Sequence, residues 1–330
     1  MKNIEKAVLI GAGVIGKTHA ENMAAMGLPF SAICDIDEAK ARELAEKFSP
    51  DALIFTDYKK MLDELCPTSV HVCTPHYLHK EMVVYALERD INALCEKPLC
   101  ISREEIDEII EAEEKSNAIL GVCLQNRYLG SNIFAKEYIA DKKIVAAHGS
   151  VVWQRGVDYY RSGDWRGKQA TEGGGVLINQ AIHTLDLLEW LCGEPTEVLA
   201  RTDNLSLRGE IEVEDTVSAL FNGDIPFSIF ATNASFTNMP ISIEMKTADK
   251  KTLVLLPDSF SVNGETLFSA KKESFAGKSY YGGGHGLLFA DFYDCIKNDR
   301  HFPIDGKEAA KVIRLVLSTY ESNGERIEIR

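Results

Sequence analysis

The strongest constraint on the fold is an alternation of short apolar runs with helical segments over the first 125 residues. The segment Glu38–Phe48, for example, is helical by its period and by its Ala, Leu and Glu content. Apolar runs separated by such helices are typical of a parallel sheet that is covered on both faces. The predicted strands are Ala7–Ile10, Phe30–Cys34, Ala52–Phe55, Ser69–Cys73, Ile91–Cys95 and Ile119–Leu124.

Helices are predicted between these strands and after them. Right-handed crossovers between parallel strands give a doubly wound sheet, whose ligand lies at the carboxyl ends of the strands. The loops that follow the strands are therefore where binding residues are expected. The predicted helices are Lys17–Met26, Glu38–Phe48 and about 57–65, 77–89 and 102–116.

The loop after the first strand reads Gly11-Ala-Gly-Val-Ile-Gly16. Gly11 permits a tight turn, Gly13 lets a pyrophosphate approach the backbone, and Gly16 lets the helix pack closely on the strand. The pyrophosphate would lie at a helix N-terminus, where free N–H groups favour an anion. Asp35, at the end of the second strand, would accept hydrogen bonds from ribose hydroxyls and repel a 2′-phosphate. The pattern predicts dinucleotide binding, with NAD favoured over NADP.

Two further loops follow strands on the same side of the predicted sheet. The segment Thr74–His79 follows the fourth strand and is either a turn that begins a helix or the lining of a nicotinamide ribose site. Glu96-Lys97-Pro98 follows the fifth strand and would bring a lysine to the cofactor. The predicted cofactor-binding residues of this half are Gly11, Gly13, Val14, Ile15, Gly16, Asp35, Thr74, Pro75, His79, Glu96 and Lys97.

The pattern changes after about residue 125, where predicted strands begin to follow one another without intervening helices. Such a succession favours a largely antiparallel sheet with one buried face. We predict an N-terminal Rossmann domain over residues 1–125 and an α+β substrate domain over residues 126–330. The predicted strands are Ile144–Gln154 and about 195–203, 215–222, 226–234, 241–247 and 251–256, and the helices are about 131–140, 176–192, 285–297 and 306–321, the last three covering the sheet.

One predicted helix of the second half carries polar residues in an otherwise apolar segment. It follows the triplet Gly173–Gly175 and would be buried, because apolar residues surround it on nearly all sides. Asn179, His183 and Asp186 fall at i, i+4 and i+7, on one stripe of this helix. Buried polar groups need hydrogen-bond partners or a ligand. A satisfied core network and a catalytic site both fit, and we favour a site in which Asp186 orients His183.

The composition limits the classes of binding partner that we expect. A formal charge of −14 argues against nucleic acid or an anionic membrane as a partner. The sequence has no apolar stretch of membrane-spanning length and no signal-peptide pattern at its beginning. The eight cysteines are scattered and form no pattern with metal-binding spacing. We therefore expect reduced thiols in a cytoplasmic protein, with no metal site.

Taken together, these motifs resemble the glucose–fructose oxidoreductase / inositol dehydrogenase / MocA (Gfo/Idh/MocA) family over essentially the whole chain. The motif Glu96-Lys97-Pro98 and the glycine-led helix with His183 are much more specific than the glycine loop alone. The resemblance extends through Asp164-Trp165-Arg166 to Gly284-His285-Gly286 and Pro303-Ile304-Asp305-Gly306.

The resemblance implies a Rossmann domain, an open antiparallel sheet, tightly held NAD(P), and oxidation or reduction of a sugar, cyclitol or related polyol at one carbon. By position, it implies that Lys97 contacts the nicotinamide ribose and the substrate hydroxyl, and that His183 is the catalytic histidine. It also places Trp165 and Arg166 beside the cofactor. Homodimers or homotetramers that pair sheet against sheet are common in the family.

One position departs from the family pattern. Many of its dehydrogenases have Asp four residues before the histidine, where this sequence has Asn179. Asn can orient a substrate or Lys97 but cannot take a proton, and it removes a charge that would raise the pKa of Lys97 and of His183. We therefore expect His183 to be the first candidate for the base, Lys97 to polarise the oxygen, and Asn179 to orient the reacting groups.

The expected reaction is reversible hydride transfer between a nicotinamide cofactor and a secondary alcohol of a sugar-like substrate. NAD-assisted glycoside cleavage without net redox change is one alternative. A dinucleotide-binding regulator without catalytic activity is another. The segment from Tyr280-Tyr281 to His285 is either a lid over the sugar or a linker before the next helix.

Overall fold

A computed structural model of the chain describes residues 6–270 and 283–330. The chain divides into two compact units. The first holds residues 6–125 and 283–310, and the second holds residues 126–270 and 311–330. The boundary at Gln125 coincides with the end of the predicted dinucleotide-binding domain, whereas residues 283–310 group with the first unit instead of the second.

The first unit contains a six-stranded parallel sheet in the order β3-β2-β1-β4-β5-β6. The chain order reverses between β1 and β4, so the loops after these two strands lie at a topological switch point. The strands are β1 Ala7–Ile10, β2 Ala32–Cys34, β3 Leu53–Phe55, β4 Ser69–Val72, β5 Asn92–Cys95 and β6 Leu120–Val122, and the helices are α1 Val14–Ala25, α2 Glu38–Phe48, α3 Tyr58–Leu65, α4 His79–Leu87 and α5 Arg103–Lys115.

Polar caps explain where several of these helices begin. The side chain of Asp37 accepts backbone N–H groups at the start of α2, and Asp57 does the same at the start of α3. Ser102 caps α5 by accepting the N–H of Glu105, whose carboxylate accepts the N–H of Ile101. A side-chain cap satisfies N–H groups that have no partner within the helix. Helix α1 lacks a side-chain cap, which leaves its first turn open to an anion.

The second unit contains a nine-stranded sheet in the order β14-β13-β12-β11-β7-β10-β9-β8-β15. Strands β7 and β10 pair in parallel, and the other neighbouring strands pair antiparallel. The strands are β7 Ile144–Val152, β8 Glu197–Asp203, β9 Thr216–Asn222, β10 Phe227–Thr232, β11 Ser242–Thr247, β12 Thr252–Leu256, β13 Ser259–Val262, β14 Glu265–Ser269 and β15 Arg326–Glu328.

The second unit also contains the helices α6 Gly130–Ile139, α7 Val157–Arg161, α8 Gln169–Glu172 and α9 Ile182–Cys192. Of these, α6 packs against β12, β13 and β14, and α9 packs against β7 and β10. Gly149 of β7 allows α9 to approach closely, because a Cβ there would lie 2.8 Å from the side chain of Leu188 and 2.9 Å from that of Thr184. The predicted fold class, a Rossmann sheet followed by a mostly antiparallel sheet covered by helices, is confirmed.

Two long helices follow, α10 Gly284–Asn298 and α11 Gly306–Ser322. The prediction that the helix at 285–297 covers the antiparallel sheet is wrong, because α10 packs against α1 in the first unit. Gly121 of β6 makes room for this segment: a Cβ there would lie 2.9 Å from Phe292 and 3.0 Å from Phe302. An amphipathic pattern shows that a helix has a buried face but does not identify the surface that covers it. In the described part of the chain, no helix is long and apolar enough to cross a bilayer.

Candidate functional site

The glycine loop lies between β1 and α1, and its geometry explains two of its glycines. Gly11 has φ +97°, and a Cβ there would lie 2.5 Å from the carbonyl oxygen of Cys73. A Cβ on Gly16 would lie 1.9 Å from the carbonyl oxygen of Gly11. Both positions therefore require glycine for close packing. Gly13 differs, because a Cβ there would meet no atom within 4 Å and the space in front of it is open.

The residues around this loop fit a dinucleotide. Gly13 precedes α1 without a side-chain cap, so the first-turn N–H groups can bind a pyrophosphate. Asp35 stands directly after β2, and its carboxylate accepts the N–H of Ala12 at 2.7 Å, which joins it to the loop. Val14 and Ile36 are 71% and 94% exposed and offer apolar surface for an adenine ring. The carboxylate of Asp35 disfavours a 2′-phosphate, and this is the basis for predicting a preference for NAD over NADP.

The loop after β4 is fixed by His79. The imidazole of His79 is fully buried, with Nδ1 2.7 Å from the carbonyl oxygen of Pro98 and Nε2 2.8 Å from that of Thr74. Burial is the largest influence on the pKa of His79 and lowers it. The ring therefore joins the loops after β4 and β5, and both ring nitrogens face the backbone. Thr74 and Pro75 are half-buried, and their predicted contact with the cofactor stays a prediction.

The loop after β5 contains the lysine that the sequence motif predicts at the cofactor. Glu96 is buried, and its Oε1 receives Nε2 of His19 at 3.0 Å and Nε2 of His285 at 3.1 Å. Its Oε2 accepts the backbone N–H of Lys97 at 3.2 Å, and the Lys97–Pro98 peptide bond is cis. Burial acts to raise the pKa of Glu96, but the hydrogen bonds from the two histidines outweigh it and hold that pKa well below its ordinary value. The carboxylate is therefore ionised and fixed in place beside Lys97.

The glycine-led helix of the second unit begins with an irregular turn. Residues Leu177–Ala181 form a π-helical turn, and α9 follows from Ile182. The predicted single helix over about 176–192 is therefore interrupted, and Asn179 lies in the π turn while His183 and Asp186 lie in α9. A π turn is a frequent feature of functional sites. His183 and Asp186 are buried and Asn179 is half-buried.

Asn179 belongs to a polar cluster around the hydroxyl of Tyr159. Its Nδ2 donates to the carboxylate of Glu172 and lies 3.3 Å from the Tyr159 hydroxyl. That hydroxyl also accepts Arg166 Nη1 at 2.6 Å and Gln180 Nε2 at 2.9 Å. Glu172 is fully buried and accepts the backbone N–H of Gly167 as well. A carboxylate thus stands next to Asn179, although the sequence has an amide where the family often has Asp.

The predicted pair Trp165-Arg166 lies in the same unit as this cluster. The guanidinium carbon of Arg166 lies over two rings, 4.3 Å from the centroid of Trp165 and 4.5 Å from that of Tyr159. Such cation–π contacts restrict the orientation of the guanidinium. The proposed location of both residues beside the cofactor stays a prediction.

Asp186 has a partner that the sequence did not indicate. Its carboxylate receives Arg127 in a bidentate manner, with Nε 3.0 Å from Oδ2 and Nη2 2.6 Å from Oδ1. Arg127 also reaches Glu189 at 3.4 Å, and all three side chains are buried. The predicted role of Asp186 in orienting His183 stays a prediction, and the ion pair with Arg127 is an additional function of the same carboxylate.

Several residues of these clusters are not predicted by the sequence motifs. Glu172 and Tyr159 lie on short helices with no periodic signal, and His19 and His285 lie far from Glu96 in the sequence. Two signals were available: His285 lies in the motif Gly284-His285-Gly286, and His71 is a titratable residue inside the apolar run of β4. The proposed lid at Tyr280-Tyr281 lies outside the described residues.

Comparison with known proteins identifies the family. Residues 6–124 match the profile of the GFO_IDH_MocA oxidoreductase family with an NAD-binding Rossmann fold, and residues 135–243 match the profile of the GFO/IDH/MocA C-terminal domain. This chain belongs to the Gfo/Idh/MocA family. The predicted family, its NAD-binding domain and its class, oxidoreductase, are thereby confirmed.

Relatives within the Gfo/Idh/MocA family are distant. The chain is 24% identical over 271 residues to the uncharacterized oxidoreductase YrbE of Bacillus subtilis (strain 168), covering 73% of this chain and 76% of YrbE. It is 28% identical over 204 residues to levoglucosan dehydrogenase of Pseudarthrobacter phenanthrenivorans, covering 58% of this chain and about half, 52%, of that enzyme.

A solved structure covers nearly the whole chain. The WlbA dehydrogenase from Bordetella pertussis, in complex with NADH and UDP-GlcNAcA, is 26% identical and covers 99% of both chains with a TM-score of 0.86. The two units of the present chain therefore have the order and fold of a Gfo/Idh/MocA dehydrogenase.

Proposed function

We propose that this protein is an NAD-dependent dehydrogenase that oxidises or reduces one secondary alcohol of a sugar, cyclitol or related polyol. The observation that carries the proposal is the fixed loop Glu96-Lys97-Pro98 directly after β5, at the carboxyl edge of an NAD-binding sheet. In open α/β sheets this edge is where the ligand binds. NAD, when bound, accepts or supplies the hydride.

The residues of this chain divide the remaining work. Lys97 would donate a hydrogen bond to the substrate oxygen and stabilise the charge that develops on it. His183 would take the hydroxyl proton, because imidazole titrates near neutral pH. Asn179 would orient the reacting groups, with its own amide held by Glu172. Where many members of the family have a single Asp, this chain therefore has an amide at Asn179 and a separate carboxylate, that of Glu172, in contact with it.

The substrate class rests on the relatives. Their names include levoglucosan dehydrogenase, myo-inositol 2-dehydrogenase and D-glucoside 3-dehydrogenase. The structure of the WlbA dehydrogenase contains UDP-GlcNAcA. These compounds share a six-membered ring that carries neighbouring hydroxyl groups. A ring of this kind offers the secondary alcohol that the proposed chemistry needs.

A substrate panel tests the proposal. Purified protein and NAD are incubated with inositols, free hexoses, hexosides and nucleotide sugars, and the absorbance of reduced nicotinamide is followed. We expect at least one ring polyol to give NADH in a stoichiometric amount. Release of free aglycone from a glycoside without accumulation of NADH would instead indicate NAD-assisted glycoside cleavage.

The regulator alternative has its own signature. A protein that binds NAD but turns over none of these substrates would fit a sensor and contradict the proposal. The family contains enzymes on the same fold, and fold alone does not establish an activity.

We also propose a homodimer or homotetramer formed through the outer face of the nine-stranded sheet. Leu199 of β8 and Leu220 of β9 lie opposite each other on this face, 39% and 48% exposed. Phe230 of the neighbouring strand β10 is 37% exposed on the same face. Contiguous exposed apolar side chains on a sheet support burial against a second copy. A cytoplasmic location stays a prediction from the composition.

A further inference from the structure

Behind Lys97, the first unit contains an unbroken chain of buried polar side chains. We call it the buried histidine chain, and each of its members is at most 4% exposed. Tyr293 Oη lies 3.0 Å from Ser69 Oγ and 2.9 Å from His71 Nε2. His71 Nδ1 lies 2.8 Å from His19 Nδ1. Glu96 Oε1 lies 3.0 Å from His19 Nε2 and 3.1 Å from His285 Nε2.

The ionised carboxylate of Glu96 determines which atom donates in each hydrogen bond of the buried histidine chain. A carboxylate only accepts hydrogen bonds, so His19 and His285 must carry protons on the Nε2 atoms that face it. A neutral His19 then has a bare Nδ1, which can only accept. The facing Nδ1 of His71 must therefore carry its proton and donate.

The same reasoning continues to the far end of the chain. A neutral His71 that is protonated on Nδ1 has a bare Nε2, which accepts from the hydroxyl of Tyr293. The oxygen of Tyr293 can in turn accept from Ser69. Burial lowers the pKa of His19 and holds that of His71 well below its ordinary value, in agreement with neutral rings. One arrangement of protons therefore satisfies every contact, and reversing any member would place two donors or two acceptors face to face.

We propose that the buried histidine chain positions Lys97. His71 fixes the tautomer of His19, His19 and His285 hold the carboxylate of Glu96, and Glu96 holds the backbone N–H of Lys97. The buried histidine chain connects α1, which follows the glycine loop, with β4, the end of β5 and α10. It therefore links helix α10 to the loop after β5. His71 is a positioning residue three contacts away from Lys97. This inference rests on the proposed role of Lys97, but the proton arrangement does not.

The proton arrangement can be measured without substrate or cofactor. Long-range nitrogen–proton correlation spectra of histidine-labelled protein distinguish the two neutral tautomers and the imidazolium, and His71→Asn and His19→Asn assign the signals. We expect His71 as the Nδ1–H tautomer and His19 as the Nε2–H tautomer near neutral pH. An Nε2–H tautomer or an imidazolium at His71 would overturn the inference, whatever the enzyme's activity.

Kinetics of His71 variants test the positioning role. His71→Leu removes the donor to His19, and we expect kcat to fall about tenfold while the Kd of NAD stays within about twofold. In His71→Asn the amide nitrogen can replace Nδ1 as donor, so most of kcat should return. Ile109→Ala, a deletion in the same unit away from the chain, is the matched control for lost stability. A kcat for His71→Leu equal to that of this control would contradict a positioning role.

Tyr293→Phe gives a second variant if His71→Leu does not fold. It leaves His71 Nε2 without a donor but leaves His19 and Glu96 in place, so we expect His71 to keep the Nδ1–H tautomer. A switch of His71 to the Nε2–H tautomer would overturn the inference. One equivalent of zinc bound to the wild-type protein and lost in Cys123→Ala would also overturn the inference. Ligand atoms of His19, Glu96 and Cys123 lie within 4.8 Å of one another, and a shared cation would replace the hydrogen bonds between them.

Discussion

Asn179 donates a side-chain N–H to the buried carboxylate of Glu172. Replacing Asn179 by Asp would put two carboxylates in contact, which raises the pKa of one of them. We expect Asn179→Asp to lower both turnover and the free energy of unfolding, the latter by about 1–3 kcal/mol at pH 8. The loss should shrink at pH 5, because a group with a raised folded-state pKa contributes stability at low pH that is lost as pH rises.

The exchange of the two charges is the control for this prediction. In the double variant Glu172→Gln with Asn179→Asp, one carboxylate and one amide face each other again. Urea unfolding at pH 5 and pH 8 should show recovery of most of the lost stability. A single variant Asn179→Asp as stable as the wild type at pH 8 would show that Glu172 does not sense the charge at position 179.

Gly13 provides a separation of cofactor binding from folding. A Cβ on Gly13 meets no protein atom within 4 Å and its φ is −75°, so Gly13→Ala should fold normally. We expect the Kd of NAD, measured by calorimetry, to rise at least tenfold, because the methyl group occupies the space in front of the helix N-terminus. Gly156→Ala, where a Cβ also meets no atom, is the matched control. Equal NAD affinity in the two variants would place the pyrophosphate elsewhere.

Glu113 predicts a pH dependence of stability. Burial raises its pKa from 4.5 to about 7, against the hydrogen bond from the backbone N–H of Gly306. The folded state binds the proton more tightly than the unfolded state, so this carboxyl contributes stability below about pH 4.5 that is lost progressively up to about pH 7. The slope from one group is at most about 1.4 kcal/mol per pH unit.

Glu113→Gln should therefore flatten the stability profile. We expect it to be more stable than the wild type at pH 8 and no more stable at pH 4, measured by urea unfolding, since Gln keeps an acceptor for Gly306. Asp107→Asn on the same helix removes an exposed carboxylate and should leave the profile unchanged. A steeper profile in Glu113→Gln would mean that the carboxyl is stabilised in its charged form.

The outer face of the nine-stranded sheet predicts the assembly. Leu220→Asp places a charge among Leu199 and Phe230 and should not disturb the buried face of β9. We expect light scattering to show dissociation to smaller species with an unchanged circular dichroism spectrum. Ser218→Asp, also exposed on β9, tests whether the apolar residue or any charge on this face matters. A wild-type protein that is monomeric at all concentrations would contradict the proposed assembly.

Much of the first unit could be predicted from the sequence because each of its elements has a local signal. Strand β1 and helix α2 have the predicted bounds, and the other elements of the parallel sheet differ by a few residues at their ends. In the second unit, β13 and β14 were not predicted. β13 alternates over only four residues, too few for a period to stand out, and β14 is mostly exposed and does not alternate between apolar and polar.

The candidate sites were harder to predict because their partners are distant in the sequence. The interval between His19 and Glu96 is 77 residues, and that between Glu96 and His285 is 189. A π turn at Leu177–Ala181 is equally invisible, because a single added residue barely changes an apolar pattern. The sequence therefore indicated that Asn179 and His183 need partners, but only the fold identifies Glu172 and Tyr159 as the partners of Asn179.

Lys97 carries the central claim, and turnover of Lys97→Met tests it most directly. The variant keeps the length of the side chain and loses its charge and its donors. With the best substrate from the panel, we expect kcat to fall at least about 100-fold while the Kd of NAD changes by less than about threefold. Lys80→Met, which breaks an exposed ion pair with Glu108 in the same unit, should keep wild-type turnover. Wild-type turnover in Lys97→Met would contradict the account.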